Sequence, residues 1–209
     1  MKEDYPNRKP LRMRGYDYSQ NGAYFITVCT KNREEMLCTI KTVNNHKFNV
    51  GDDACIVPPT QVFYPNENCA LNLIPSTWLE NHIDYSLTPQ GKIIDKVIGD
   101  ITGMYPDICI DTYVIMPNHI HLIIRIDVTK RTDELSPVSG TMQASSPTKM
   151  SVPKLVAILK RYCTYYIGYP VFQRSYHDHI IRNVEEYNKI TEYILQNPFC
   201  WEQDCFYIN

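Results

Sequence analysis

The chain reads as an α+β fold, with helices covering an antiparallel sheet. Strand-like and helix-like runs alternate in the order βαββαβα. Two of the strand-like runs are separated by Pro117 and Asn118 alone, and the helical runs carry an apolar stripe that has to pack on a sheet. At 209 residues the chain fits one domain, 1–209, with embellishments.

Residues 23–30 (AYFITVCT) are β-branched and aromatic and follow the turn-like Gln20-Asn21-Gly22, so they read as a central strand. From about 38 to 85 the text is irregular, broken by Gly51-Asp52-Asp53, Pro58-Pro59, Pro65 and Pro75. It reads as an insertion after the first strand, with a few short strands of its own. Thr88 then caps a helix with Pro89 at its first position, and Ile93, Ile94, Val97, Ile98 and Ile101 follow at helical spacing. Residues 108–116 and 119–126 are strand-like, and the two-residue gap between them implies an antiparallel hairpin or a sharp kink. The stretch from about 127 to 150 is rich in Ser, Thr, Pro and Gly, the composition of a flexible loop. Helices are predicted over 152–167 and 184–196, with 172–180 (FQRSYHDHI) as a short strand or extended connection between them.

Hydrophobic residues make up 44% and charged residues 21%, which is ordinary for a folded protein. No apolar run approaches the roughly 18 residues of a membrane span, and the N-terminus lacks the apolar core of a signal peptide. The expected setting is the cytoplasm, with no membrane partner. Eight cysteines are scattered without a CxxC pair, which argues against a zinc cluster and for thiols acting as small buried hydrophobes. Net charge is -2, so bulk positive charge does not announce nucleic-acid binding. The charge is uneven, however. Lys2, Arg8, Lys9, Arg12 and Arg14 crowd the N-terminus, and Lys149, Lys154, Lys160 and Arg161 gather around a predicted helix. Such patches can track a phosphate backbone, and Arg12, Arg14 and Lys160 are the candidate phosphate contacts.

The sharpest local signal is Met116-Pro117-Asn118-His119-Ile120-His121-Leu122-Ile123-Ile124. On a strand, His119 and His121 project side by side while Ile120 and Leu122 face the core. Two imidazoles of parallel reach form a natural bidentate metal clamp, although a structural pair has the same pattern. A second element lies in the C-terminal helix. Tyr193 and Asn197 are four residues apart and share a face, and Pro198 ends the helix so that the Asn197 amide reaches outward from its last turn. A rim tyrosine and a helix cap would look the same.

Taken together, four ordered blocks carry a resemblance. They are Arg12-Met13-Arg14-Gly15-Tyr16-Asp17-Tyr18-Ser19 with 22–27, the run 114–124, Phe172-Gln173-Arg174-Ser175-Tyr176-His177-Asp178-His179 continuing to Asn183, and Glu192-Tyr193-Ile194-Leu195-Gln196-Asn197-Pro198. In these blocks the chain resembles a REP-associated tyrosine transposase, a family related to the single-tyrosine transposases of small insertion sequences. The resemblance implies a ferredoxin-like HUH fold, with His-hydrophobe-His on a central strand faced by a helix that bears a nucleophilic tyrosine. By position His119 and His121 match the paired metal ligands, Tyr193 the nucleophile, and Asn197 a polar third ligand. It further implies a divalent ion, Mg2+ or Mn2+, and action on single-stranded DNA beside a palindromic hairpin.

The expected chemistry is cleavage and rejoining through a 5′-phosphotyrosine, with the ion weakly held in the absence of DNA. No Walker-type motif is present, and religation by reversal of the attack needs no ATP. One alternative is a catalytically silent hairpin binder. Another is a histidine-triad nucleotide hydrolase, which wants a third alternating histidine where this chain has Ile123. Related insertion-sequence transposases form dimers that exchange the tyrosine helix, so a homodimer is one expectation that these residues leave open.

Overall fold

A computed structural model describes residues 12–42, 83–130 and 149–207. In chain order its elements are β1 (Gly22–Cys29), β2 (Cys38–Thr42), β3 (Ile83–Leu87), α1 (Pro89–Met104), β4 (Ile108–Ile115), β5 (His119–Ile126), α2 (Val152–Ile167), β6 (His177–Ile181) and α3 (Val184–Gln196). Four strands make one sheet in the order β4-β5-β1-β6, and every pairing is antiparallel. Numbered by their own order in the chain these strands run 2-3-1-4, with α1 and α2 as the two crossovers, which is the ferredoxin-like arrangement.

The period of two along each strand sorts the sheet into two faces. Tyr24, Ile26 and Val28 of β1 and Ile120, Leu122 and Ile124 of β5 are buried on the face covered by α1 and α2. Phe25 and Ile123 point the other way, toward α3, which contributes Ile194 and Leu195 to a second, smaller core with Val114, Met116 and Trp201. Strand β4 serves both cores through a break in register between Ile110 and Thr112. Ile108 and Ile110 face the first core, and after the bulge Tyr113 and Ile115 do, so Asp111 is the extra residue. Its carboxylate accepts from Arg125 Nε at 2.9 Å and Nη2 at 3.0 Å, and from Tyr187 Oη of α3 at 3.0 Å.

The two ends of the predicted insertion, β2 and β3, pair as a two-stranded ribbon from Cys38↔Leu87 to Thr42↔Ile83. Tyr85 Oη donates to Ile115 O at 2.7 Å and roots the ribbon on β4. Residues 43–82, 131–148, Cys55, Cys69, Lys2, Arg8 and Lys9 lie outside the described residues, so the interior of the insertion and most of the predicted loop do too. The predicted start of α1 holds. Thr88 Oγ1 accepts from Gly91 N at 3.1 Å and donates to Met36 O and Leu37 O at 2.7 and 2.9 Å. Among the described residues Cys29, Cys38 and Cys163 are buried free thiols. No described helix is long and apolar enough to cross a membrane.

Candidate active site

The two histidines stand on the α3 face of β5, opposite Cys29 and Thr27 of β1, and both are buried. Asn118, fully buried in the tight turn before them, fixes the first ring. Its Nδ2 donates to Phe206 O at 2.8 Å, so its Oδ1 is the atom that faces His119 Nδ1 at 2.9 Å. A carbonyl oxygen only accepts, hence the His119 proton sits on Nδ1 and its Nε2 presents a lone pair. Burial lowers the His119 pKa to about 3, with a smaller push from Arg33, so the ring is neutral at pH 7. His121 is likewise held well below its ordinary value, first by burial and then by His119. Its Nδ1 lies 2.8 Å from Thr27 Oγ1, a hydroxyl that can donate or accept and therefore suits either tautomer.

Helix α3 brings the phenol. Asn183 Oδ1 accepts from Glu186 N at 2.8 Å, and the Glu186 carboxylate accepts from Arg182 N and pairs with His179 Nε2, both at 2.7 Å. This reciprocal cap pins the helix start to β6. Three turns on, Tyr193 Oη lies 3.3 Å from His121 Nε2 and 3.5 Å from Asp204 Oδ2. Phe25 lines the ring edge-on, with centroids 6.0 Å apart, while 40% of Tyr193 remains open to solvent. Burial of the hydroxyl and the nearby Asp204 carboxylate both raise the Tyr193 pKa above its ordinary value. Phenol and imidazoles meet within one chain, so a second copy is not needed to complete the cluster.

Asp204 is the residue that sequence reasoning missed. Its carboxylate is nearly fully buried and lies 4.0 Å from His119 Nε2, and one ligand atom each from His119, His121 and Asp204 falls within 4.8 Å of the others. Asn197 corrects an expectation. Its amide does not reach outward but is buried, with Nδ2 donating to Asp204 Oδ2 at 2.8 Å and Oδ1 left without a hydrogen-bond partner among the described residues. The chain after α3 winds into a 3-10 turn over Asn197–Gln203 and folds back, which lays Asp204 over the amide. No spacing rule marks an aspartate beyond a helix-ending proline.

The donor set suits a divalent cation. His119 Nε2 and His121 Nε2 are 3.0 Å apart. Two lone pairs at that distance repel unless a cation or a proton lies between them. Adjacent vertices of an octahedron with bonds of about 2.1 Å are also roughly 3.0 Å apart. Two imidazoles, one carboxylate and the orphaned Asn197 oxygen beside it make a mixed nitrogen and oxygen site for a small divalent ion.

The predicted phosphate contacts sit elsewhere. Arg12 lies 4.6 Å over the Tyr176 ring and Lys160 Nζ 5.7 Å from it, and that ring belongs to the core on the α1/α2 face. Lys160 donates to the carbonyls of Gln173, Arg174 and Ser175 at 2.8, 3.2 and 2.8 Å, which matches its three protons to backbone. Arg14 is exposed near the start of the described chain. Among the described residues a cation beside the histidines is Arg33, whose guanidinium lies 5.1 Å over Phe206, itself 4.6 Å from His119. Asn32 and Arg33 have φ of 56° and 57°, a left-handed pair that turns the chain after β1 back toward the site. Such backbone costs about 1–2 kcal/mol per residue and leaves no mark in the composition.

No protein-family model matches the chain. An uncharacterised protein of Haemophilus influenzae is 29% identical over 210 residues, covering 97% of this chain and 94% of that protein. Among solved structures, a REP-associated tyrosine transposase bound to a REP hairpin is similar at 17% identity and a TM-score of 0.47, over 90% of this chain and 72% of that one. A candidate transposase from Deinococcus radiodurans R1 is similar at 13% identity and a TM-score of 0.33, over 88% of this chain and 94% of that one.

Proposed function

We propose that the chain is a divalent-metal-dependent, single-tyrosine DNA endonuclease and strand transferase of the transposase kind. The observation that carries this reading is the convergence of one phenol, two neutral imidazoles and one carboxylate, with Tyr193 Oη 3.3 Å from His121 Nε2. The single-stranded DNA substrate, cut beside a palindromic hairpin, is the one implied by the four sequence blocks.

His119, His121 and Asp204 would hold a Mg2+ or Mn2+ ion, with Asn197 positioning the carboxylate through its 2.8 Å bond and offering Oδ1 as a further donor. When bound, that ion neutralises and polarises the scissile phosphate as a Lewis acid. Tyr193 attacks the phosphorus in line, and its hydroxyl proton passes to solvent water, to which 40% of the residue is open. The bond from phosphorus to the 3′ oxygen breaks, and that oxygen leaves as a hydroxyl once it takes up a proton. A phosphotyrosine remains on the 5′ side. Attack by a 3′-hydroxyl on this ester restores the phosphodiester and frees Tyr193, so cleavage and rejoining conserve bond energy. Arg33 supplies positive charge at the mouth of the site, while Arg12 and Arg14 contact the flanking backbone. Lys160 supports that contact indirectly, by holding the 173–175 carbonyls.

The test is incubation with single-stranded hairpin DNA and Mn2+ or Mg2+, followed by denaturing electrophoresis. The wild type is expected to form a covalent adduct that Tyr193→Phe and chelation each abolish, and that Arg33→Ala slows. An adduct surviving in Tyr193→Phe overturns the assignment of the nucleophile. Tight hairpin binding with no adduct under either ion makes the protein a hairpin-binding relative without turnover.

A further inference from the structure

Apart from Lys160, the second basic group of the sequence is not used by the site just described. From Lys149 to His177 the chain has Lys149, Lys154, Lys160, Arg161 and Arg174 and no aspartate or glutamate, although its net charge is -2 overall. Helix α2 runs through this stretch. Its inner stripe, Val152, Leu155, Val156, Leu159 and Cys163, is buried against the sheet. Positions 154, 157, 161 and 165 recur at helical spacing on the opposite side, and all four are exposed.

Toward its C-terminus that outer side becomes aromatic. Tyr165 is 77% exposed and Tyr166 53%, and Tyr169, past the Gly168 cap, is also exposed. Tyr162 and Tyr166 stack with rings 20° apart and centroids at 6.4 Å, and Tyr165 meets Tyr166 edge-on at 5.1 Å. Arg161 lies 5.6 Å over the Tyr162 ring, so cation and aromatic faces alternate along the ridge. The left-handed backbone at Gly168, φ 91°, ends the helix and lets the chain turn Tyr169 back, where its hydroxyl accepts from Gln90 Nε2 at 3.3 Å. Large apolar rings on a monomer surface are usually covered by something. Here the neighbouring charge selects the occupant. A stretch with cations and no anions of its own favours a polyanion over a basic partner, and flat rings beside an arginine stack on unpaired bases.

We infer that the outer face of α2, from Lys154 to Tyr169, is a second nucleic-acid surface that binds unpaired nucleotides of single-stranded DNA, with Tyr165 and Tyr166 as the stacking platform and Lys154 and Arg161 on the phosphates. It lies on the sheet face opposite His119, His121 and Tyr193, so it would hold a flanking strand rather than the scissile one. The inference rests on the proposed function only for its choice of DNA as the strand. The binding it requires is independent of cleavage.

The test measures fluorescence anisotropy of a labelled oligothymidylate with the full-length protein, in parallel with the adduct assay on saturating hairpin DNA. Tyr165→Ala with Tyr166→Ala is expected to weaken oligothymidylate binding about tenfold per ring removed, with little change in the salt slope. Arg161→Ala is expected to reduce that slope by about one. Both variants alter exposed side chains and should melt with the wild type. Tyr165→Phe, which keeps the ring, should bind as the wild type does. Unchanged oligothymidylate affinity in the double tyrosine variant overturns the inference while leaving the adduct chemistry intact. Tyrosine-dependent binding without any adduct overturns the proposed function and leaves this surface standing. If sedimentation shows a wild-type dimer that the double variant dissolves and that competes with DNA, the face belongs to a second copy of the chain and the inference fails.

Discussion

At the level of single side chains, the site depends on which nitrogen of each imidazole carries its proton. Asn118 settles this for His119, because its amide is fixed in orientation by the Phe206 carbonyl and leaves only an acceptor for Nδ1. Asp204 then supplies the charge that two neutral rings lack. A calorimetric titration with Mn2+ separates these roles. Asn118→Ala should weaken the ion by roughly ten- to a hundredfold through loss of ring orientation. Asp204→Asn should weaken it at least as much, while Asn197→Ala has a smaller effect because it removes the group that positions the carboxylate. Undiminished affinity in Asp204→Asn, with loss in Asn197→Ala, would return the third ligand to the amide. Strand alternation and helix spacing are local, so the sequence shows His119 beside His121 and Tyr193 on one face with Asn197, but only the resemblance singled these four out as site residues. Asp204, Asn118 and Arg33 were not legible, since each acts through a fold-back or a left-handed turn with no periodic signature.

At the scale of elements, two junctions decide whether the sheet can present those rings. One is the start of α1. A Cβ built on Gly91 would sit 2.0 Å from Leu37 O and 3.2 Å from Leu87 Cδ2, so the helix passes the root of the β2/β3 ribbon with no room for a methyl group. Gly91→Ala gains up to about 1 kcal/mol of helix propensity. It must also push backbone apart, at about 1–3 kcal/mol or more. The clash wins, and Gly91→Ala should lower Tm, whereas Gly99→Ala, which meets nothing within 4 Å, should raise it slightly. A Gly91→Ala variant as stable as the wild type would mean that ribbon and helix are not packed this way. The sequence marked Thr88 and Pro89 as a helix start because capping chemistry is read over four residues. It could not mark the bulge at Asp111, because the run 108–116 looks uniformly strand-like and the flip in parity appears only through its partners, Arg125 and Tyr187.

For the molecule as a whole, the two faces of the sheet are unequally anchored, and Tyr193, the proposed nucleophile, rides on the weaker one. Helices α1 and α2 each bury a run of apolar residues in the larger core, while α3 buries only Ile194 and Leu195 and leaves Val184 largely exposed. Tyr187 and Ile190 pack against the smaller core only partly buried, and the helix's other ties include polar ones, from the Asp111 carboxylate to Tyr187, from the Glu186 cap to β6, and within the cluster of Tyr193, Asn197 and Asp204. A helix held this way opens as a sub-global unit at a lower free energy than the sheet. Under the proposed function, such an arrangement would let Tyr193 admit DNA and later release it. Amide hydrogen exchange should therefore show residues 187–196 exchanging faster than 94–101 and 155–163 in the ion-free protein. Mn2+ at a hundred times its dissociation constant should then slow exchange selectively in α3 and around Asp204. Because the cation binds only the closed arrangement, that slowing should approach a hundredfold. Equal protection of all three helices without the ion would contradict the unequal anchoring. Uniform slowing across the chain would mean that α3 opens only with global unfolding.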